Sequence, residues 1–168
     1  MQRRTLLRLG AGSALVLLVA GTAVSLLQPG LKDGRLSAAA RNVFTAVGRG
    51  VLDGSLPTEA GPRQIAVNGL LDRIDALALG LPAHAQAELS QLLGLLATSA
   101  GRRGLAGLAA DWPQASVAEV QQALQSMRTS SLSLRQQAYH ALHDIVGGAY
   151  FSDASTWPQL GYPGPPKI

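Results

Sequence analysis

The chain has no cysteine. That excludes disulfides, thiolate catalysis, iron–sulfur clusters, Cys-type zinc sites and the C-x-x-C-H attachment of haem. Most routes by which a protein carries electrons are thereby closed, although the compartment is left open. Aromatic residues make up 4% of the chain, so the core has to be assembled from Leu, Ala, Val and Ile. Charged residues make up 14%, well under the roughly 25% of an ordinary soluble domain. Also missing are a P-loop, an H-E-x-x-H pair, an EF-hand loop and a G-x-S-x-G elbow. These absences weigh against an enzyme.

What is present is first of all a skewed distribution of charge. The formal net charge of +4 suggests nucleic acid. Yet Arg3, Arg4 and Arg8 all precede one uncharged stretch, and setting them aside leaves eleven basic against ten acidic residues. The remaining cations are scattered, with Arg102-Arg103 the only other doublet. A phosphate-binding surface needs clustered cations, so nucleic acid is not an expected partner.

Leu9 to Leu27, "LGAGSALVLLVAGTAVSLL", carries no charge and follows the three arginines. A positive segment followed by an apolar one is the pattern of an export signal. Arg3, Arg4, Leu6, Leu7 and Arg8 resemble a twin-arginine signal, whose apolar region is typically mild and rich in Gly and Ala. Gln2 and Leu6 replace the commoner Ser/Thr and Phe. No small-x-small cleavage site follows Leu27 directly, and nineteen helical residues would span about 28 Å, close to a bilayer core. The segment suits a cleaved signal or an uncleaved inner-membrane anchor, and the expected location of the rest is periplasmic. The "GAG" at Gly10–Gly12 follows no strand and lacks a third glycine, so it is not a dinucleotide fingerprint.

The body reads as helix. Leu36, Ala40, Val43, Phe44, Val47 and Val51 recur at helical spacing behind Ser37 as N-cap, with Gly54 as a stop. Val67, Leu70, Leu71, Ile74 and Leu77 form a second stripe that ends near Gly80. Pro82 opens a third helix carrying Leu89, Leu92, Leu93 and Leu96, and "SAGRRGLAGLAADWP" reads as irregular. Ser116 and Glu119 make a capping box ahead of Val117, Val120, Leu124 and Met127. A fifth helix carries Leu134, Ala138, Leu142, Ile145 and Val146. No stretch alternates convincingly with period two. The expected fold is all-α, a bundle of about five helices, divided into a signal or anchor over 1–30, the bundle over 31–150 and an irregular docking tail over 151–168.

Candidate chemistry is thin. His140 and His143 share a helix face beside Asp144, but no third metal ligand is identifiable, and a polar helix flank accounts for them. His84 reads as surface, and Asp72 and Asp75 read as a solvated face around Arg73 rather than an acid/base pair. No catalytic residue, cofactor site or metal site is assigned.

Tyr150, Phe151, Trp157 and Tyr162, four of the seven aromatics, crowd the last nineteen residues with four prolines. A disordered tail is normally poor in aromatics, so this one is expected to dock on its own bundle, on a partner, or on both. "AYFSDASTWPQLGYPGPP" (Ala149–Pro166) resembles the C-terminal motif of the gluconate 2-dehydrogenase small-subunit (subunit 3) family. The resemblance rests on Trp157 and on Gly161-Tyr162-Pro163-Gly164, together with the twin-arginine leader; a Tyr-Gly-Gly-Asn segment common before the Trp in that family is missing. It implies a non-catalytic small subunit that accompanies a large flavin-containing oxidoreductase of the glucose–methanol–choline type. A cytochrome c subunit would take the electrons. The small subunit would stabilise the flavoprotein and escort it through the twin-arginine translocase, with Tyr150, Phe151, Trp157, Gly161, Tyr162, Pro163 and Gly164 as docking residues. The alternative is a free-standing exported helical scaffold or envelope protein without a redox partner.

Overall fold

A computed structural model describes residues 28–164. Within them the fold is all-α. Five helices of twelve residues or more carry it: α1 Ala38–Val51, α2 Ala60–Leu79, α3 Ala83–Ala97, α4 Val117–Arg128 and α5 Ser133–Phe151. The apolar stripes read from the sequence are the faces that these helices bury. Helix α1 is central and packs against all four others. Its small residues permit this: Ala40, Ala46, Gly48 and Gly50 are buried alongside Val43, Phe44 and Val47, so neighbours approach from several sides. A Cβ on Gly48 would come within 2.8 Å of Leu70, and one on Gly50 within 2.8 Å of Val120.

The helix ends are set by local chemistry. Ser37 caps α1 through a hydrogen bond that its hydroxyl accepts from the Ala40 N–H. The chain leaves α1 through Gly54, whose φ of 81° suits a residue without a Cβ. The capping box at α4 is complete, since Ser116 Oγ accepts from the Glu119 N–H while Glu119 Oε2 accepts from the Ser116 N–H at 2.8 Å. The Ser116 hydroxyl also donates to Glu119 Oε2 at 2.7 Å, and that bond first, then the one from the Ser116 N–H, hold the Glu119 carboxyl below its ordinary range.

Three features depart from the sequence reading. The first is a two-stranded antiparallel hairpin, β1 Leu31–Lys32 and β2 Arg35–Leu36, ahead of α1. Leu36 therefore closes a hairpin rather than opening the helix. Asp33 and Gly34 both have positive φ, 52° and 74°, the type I′ geometry whose twist matches the strands. Leu31 pairs with Leu36 and both face the core, while Lys32 pairs with Arg35 and both are exposed.

The second is Asp75. It belongs to no solvated face: it is 3% exposed, accepting from the Leu36 N–H at 2.7 Å and pairing with Arg41 of α1. Asp72 stays exposed, 3.5 Å from the same guanidinium. Position 75 lies four residues after Leu71 and three before Ala78, on the buried stripe of α2. The carboxylate fastens the hairpin and the start of α1 to α2.

The third is the "SAGRRGLAGLAADWP" stretch, which is ordered. The turn Ser99–Gly101 continues into the π-helical turn Arg102–Ala106, closed by Gly107 at φ 74°. The Arg102-Arg103 doublet divides: Arg102 is 5% exposed and ion-paired with Asp111, whereas Arg103 faces solvent. Trp112 is buried and donates from Nε1 to the Leu96 carbonyl at 2.8 Å, satisfying an orphan acceptor at the end of α3.

Candidate functional site

The C-terminal segment is not irregular throughout. Helix α5 runs to Phe151, and Ala154–Leu160 forms a 3₁₀ helix with Pro158 inside it. Asp153 starts it, its Oδ1 accepting from the Ser155 N–H at 2.9 Å. Pro158 removes one donor from the segment but not its closure, because Gly161 N–H reaches the Pro158 carbonyl and Tyr162 N–H the Trp157 carbonyl. Gly161 ends it at φ 67°.

This segment is tied to the bundle by polar contacts. Arg73 of α2 donates from Nε to the Ala149 carbonyl at 2.7 Å and pairs with Asp153 Oδ2 at 3.1 Å. One side chain thus satisfies a carbonyl near the end of α5 and neutralises the residue that starts the 3₁₀ helix. Thr156 is buried and donates to the Asp153 carbonyl at 2.7 Å, and Trp157 donates from Nε1 to the Phe151 carbonyl at 2.8 Å.

The aromatic residues divide between inside and outside. Tyr150 belongs to the core: it is 3% exposed, its hydroxyl donates to the Ser55 carbonyl at 2.8 Å, and its ring meets Phe151 edge to face. Its expected place in a docking surface is corrected accordingly. Phe151 is half-buried against the same core. Trp157 and Tyr162 form a separate pair, with ring centroids 5.3 Å apart at 60°. Trp157 is half-buried and Tyr162 is 47% exposed. The pair, with Ala154, Pro158, Gly161 and Pro163, lines one side of a shallow, open hollow of about 340 Å³ without a charged group in its lining. Gly164, at φ 96°, lies against the indole, where a Cβ would be 3.4 Å from Cζ3. Trp157, Gly161, Tyr162, Pro163 and Gly164, expected as docking residues, lie together in this segment. Sequence reasoning missed Arg73, Asp153 and Thr156, which hold that group in place; the only signal was Asp153 two residues ahead of Ser155, an Asx-turn pattern.

The Asp153 carboxyl lies below its ordinary range because of hydrogen bonds from Ser155, side chain first and then backbone, with the Arg73 charge adding to them. A carboxyl lowered on folding contributes stability above its unfolded value and loses it as pH falls through the folded value. The tail is therefore expected to loosen below about pH 4. Tryptophan emission in a Trp112→Phe background, which reports Trp157 alone, should shift to the red on acidification while helical circular dichroism persists. The Asp153→Asn variant should abolish that pH step. An unchanged step in the variant would assign it to another group.

The remaining candidates stay apart. His140 and His143 are exposed on α5, packed about Tyr139 at centroid distances of 5.2 and 5.4 Å, with His143 Nδ1 3.2 Å from Asp144. Among the described residues no three His, Cys, Asp or Glu side chains are grouped so as to hold a metal ion. His84 is exposed. Arg3, Arg4, Leu6, Leu7 and Arg8 lie outside the described residues, and no described helix is long and apolar enough to cross a membrane. No family model, curated protein or solved structure matches the chain.

Proposed function

We propose that this chain is a non-catalytic small subunit of a periplasmic flavin-dependent dehydrogenase, docked to the flavoprotein through its C-terminal tail. The observation that carries the reading is the Trp157–Tyr162 hollow, uncharged, open, and built on a segment fastened to the bundle by Arg73. A half-exposed tyrosine beside a tryptophan is the composition of an interface hot spot. The class of partner comes from the likeness of the tail and leader to the gluconate 2-dehydrogenase small-subunit family. In that arrangement the large subunit carries the flavin and the chemistry, a cytochrome c subunit takes the electrons, and this chain stabilises the flavoprotein. The twin-arginine route carries folded cargo, so one leader would serve both subunits.

Two measurements test it. A tagged copy expressed from its native locus is expected to co-purify with a flavin-containing protein of the glucose–methanol–choline type; recovery of a lone monomer overturns the reading in favour of a free-standing exported protein. Replacing Arg3 and Arg4 by lysine is expected to leave both proteins in the cytoplasm. Export of the flavoprotein in that strain would remove the escort role and leave the docking role standing.

A further inference from the structure

The hollow is built within the tail alone. Its lining residues, Ala154, Trp157, Pro158, Gly161, Tyr162 and Pro163, all come from the stretch 154–163. Among the described residues, the hydrogen bonds of 152–164 run to each other or back to the last turn of α5, with one exception. That exception is Arg73 of α2, whose Nη1 meets Asp153 Oδ2 while its Nε holds the Ala149 carbonyl.

What Arg73 holds is a weak joint. Gly147 and Gly148 lie in α5 just before Ala149, and a Cβ on either would meet nothing within 4 Å. Packing within the chain does not call for glycine there, and a glycine pair lowers a helix's resistance to bending. The turn beyond the pair is pinned on two sides. Tyr150 pins one in the core, through its buried ring and its bond to the Ser55 carbonyl. Arg73 pins the other at the surface, in an ion pair whose two side chains are both part-exposed. Gly69, one turn earlier on α2, makes room for the guanidinium, since a Cβ there would lie 3.3 Å from Nη1. A buried pin does not release without disturbing the core, whereas a part-exposed ion pair opens locally.

We infer that Arg73 is a latch that fixes the orientation of the hollow on the bundle, and so governs docking as a positioning residue outside the docking surface. This rests on the docking reading given above. Because the lining is wholly local, opening the latch frees the hollow without dismantling it. Partner affinity then scales with the fraction of molecules in which the latch is closed.

The first readout needs no partner. In the Trp112→Phe background Trp157 is the only tryptophan. Arg73→Gln is expected to lower the emission anisotropy of Trp157 and to raise its quenching by acrylamide, with the urea midpoint of the helical signal near the parent's. Arg73→Lys keeps the charge but lacks the fork that meets two acceptors at once, so it should fall between. The second readout is affinity for the flavoprotein that co-purifies with the tagged parent chain. Arg73→Gln should raise its Kd about tenfold, as the closed fraction falls to about a tenth, and Arg73→Lys should raise it less. Unchanged anisotropy and quenching in Arg73→Gln overturn the latch, whatever the affinity. Loosening of Trp157 only in step with loss of the helical signal also overturns it, because Arg73 is then an ordinary tie of the whole bundle. A loosened tail that binds as tightly as the parent shows that the partner does not read the orientation, and the control of docking is wrong. If the parent itself captures no flavoprotein, the docking reading fails and the control of docking with it, while Trp157 still reports whether the latch exists.

Discussion

Replacing Asp75 by alanine is expected to lower the unfolding free energy by about 3 kcal/mol, the largest loss anticipated for a single polar side chain here. Two parts make up that loss. The Leu36 N–H is buried and donates to Asp75 Oδ1, so removing the acceptor strands a donor, at about 1–3 kcal/mol. The Arg41 contact adds less, because its guanidinium is 37% exposed and keeps Asp72 and water as partners. The small void left by the carboxylate accounts for the rest. Asp75→Asn keeps an oxygen for Leu36 but turns a donor toward a cation, and should fall between alanine and the parent. Asp72→Ala, at an exposed position, should stay within about 0.5 kcal/mol. Urea unfolding followed by circular dichroism measures all three. Equal losses for Asp72→Ala and Asp75→Ala would show that burial at 75 has no energetic weight.

Asp75 also indicates where sequence reading reaches and where it stops. The helices were legible because each buries a stripe at period 3.6, and their caps because Ser37 and the Ser116/Glu119 box use side-chain chemistry local to a few residues. Asp75 carried the same kind of signal, sitting between Leu71 and Ala78 on one face. Taken with Asp72 as a pair of acids three apart, it looked solvated; its partners, Leu36 and Arg41, are more than thirty residues away and local spacing does not disclose them. The hairpin escaped for another reason: two residues per strand are too few to establish alternation, and the Asp33-Gly34 turn signal had no long strands beside it. The tail, expected to be irregular, holds a short helix. A single 3₁₀ segment tolerates Pro158 because few of its donors have to be met internally; besides local bonds from Thr156 and Trp157, Arg73, eighty residues before Asp153, fixes its start.

Tyr162→Ala is expected to weaken binding to the proposed flavoprotein partner by about 2 kcal/mol, roughly thirtyfold in Kd, while leaving stability within about 0.5 kcal/mol. The asymmetry follows from geometry. Tyr162 is 47% exposed and its described ring contact is the edge-to-face pair with Trp157, so the free bundle loses little when the ring is removed. An interface that seats a side chain in the hollow loses one of its two aromatic walls. Trp157→Ala should cost both properties, since Trp157 also donates to the Phe151 carbonyl and supports Gly164. Trp157→Phe isolates the indole hydrogen bond from the ring. Tyr150→Phe is the internal control: it strands the Ser55 carbonyl and should cost about 1 kcal/mol of stability with no direct effect on binding. Calorimetric titration of the purified partner, alongside thermal unfolding of each variant, separates the two roles. If Tyr162→Ala binds like the parent, the hollow is a by-product of the tail covering its own bundle, and the docking surface lies elsewhere.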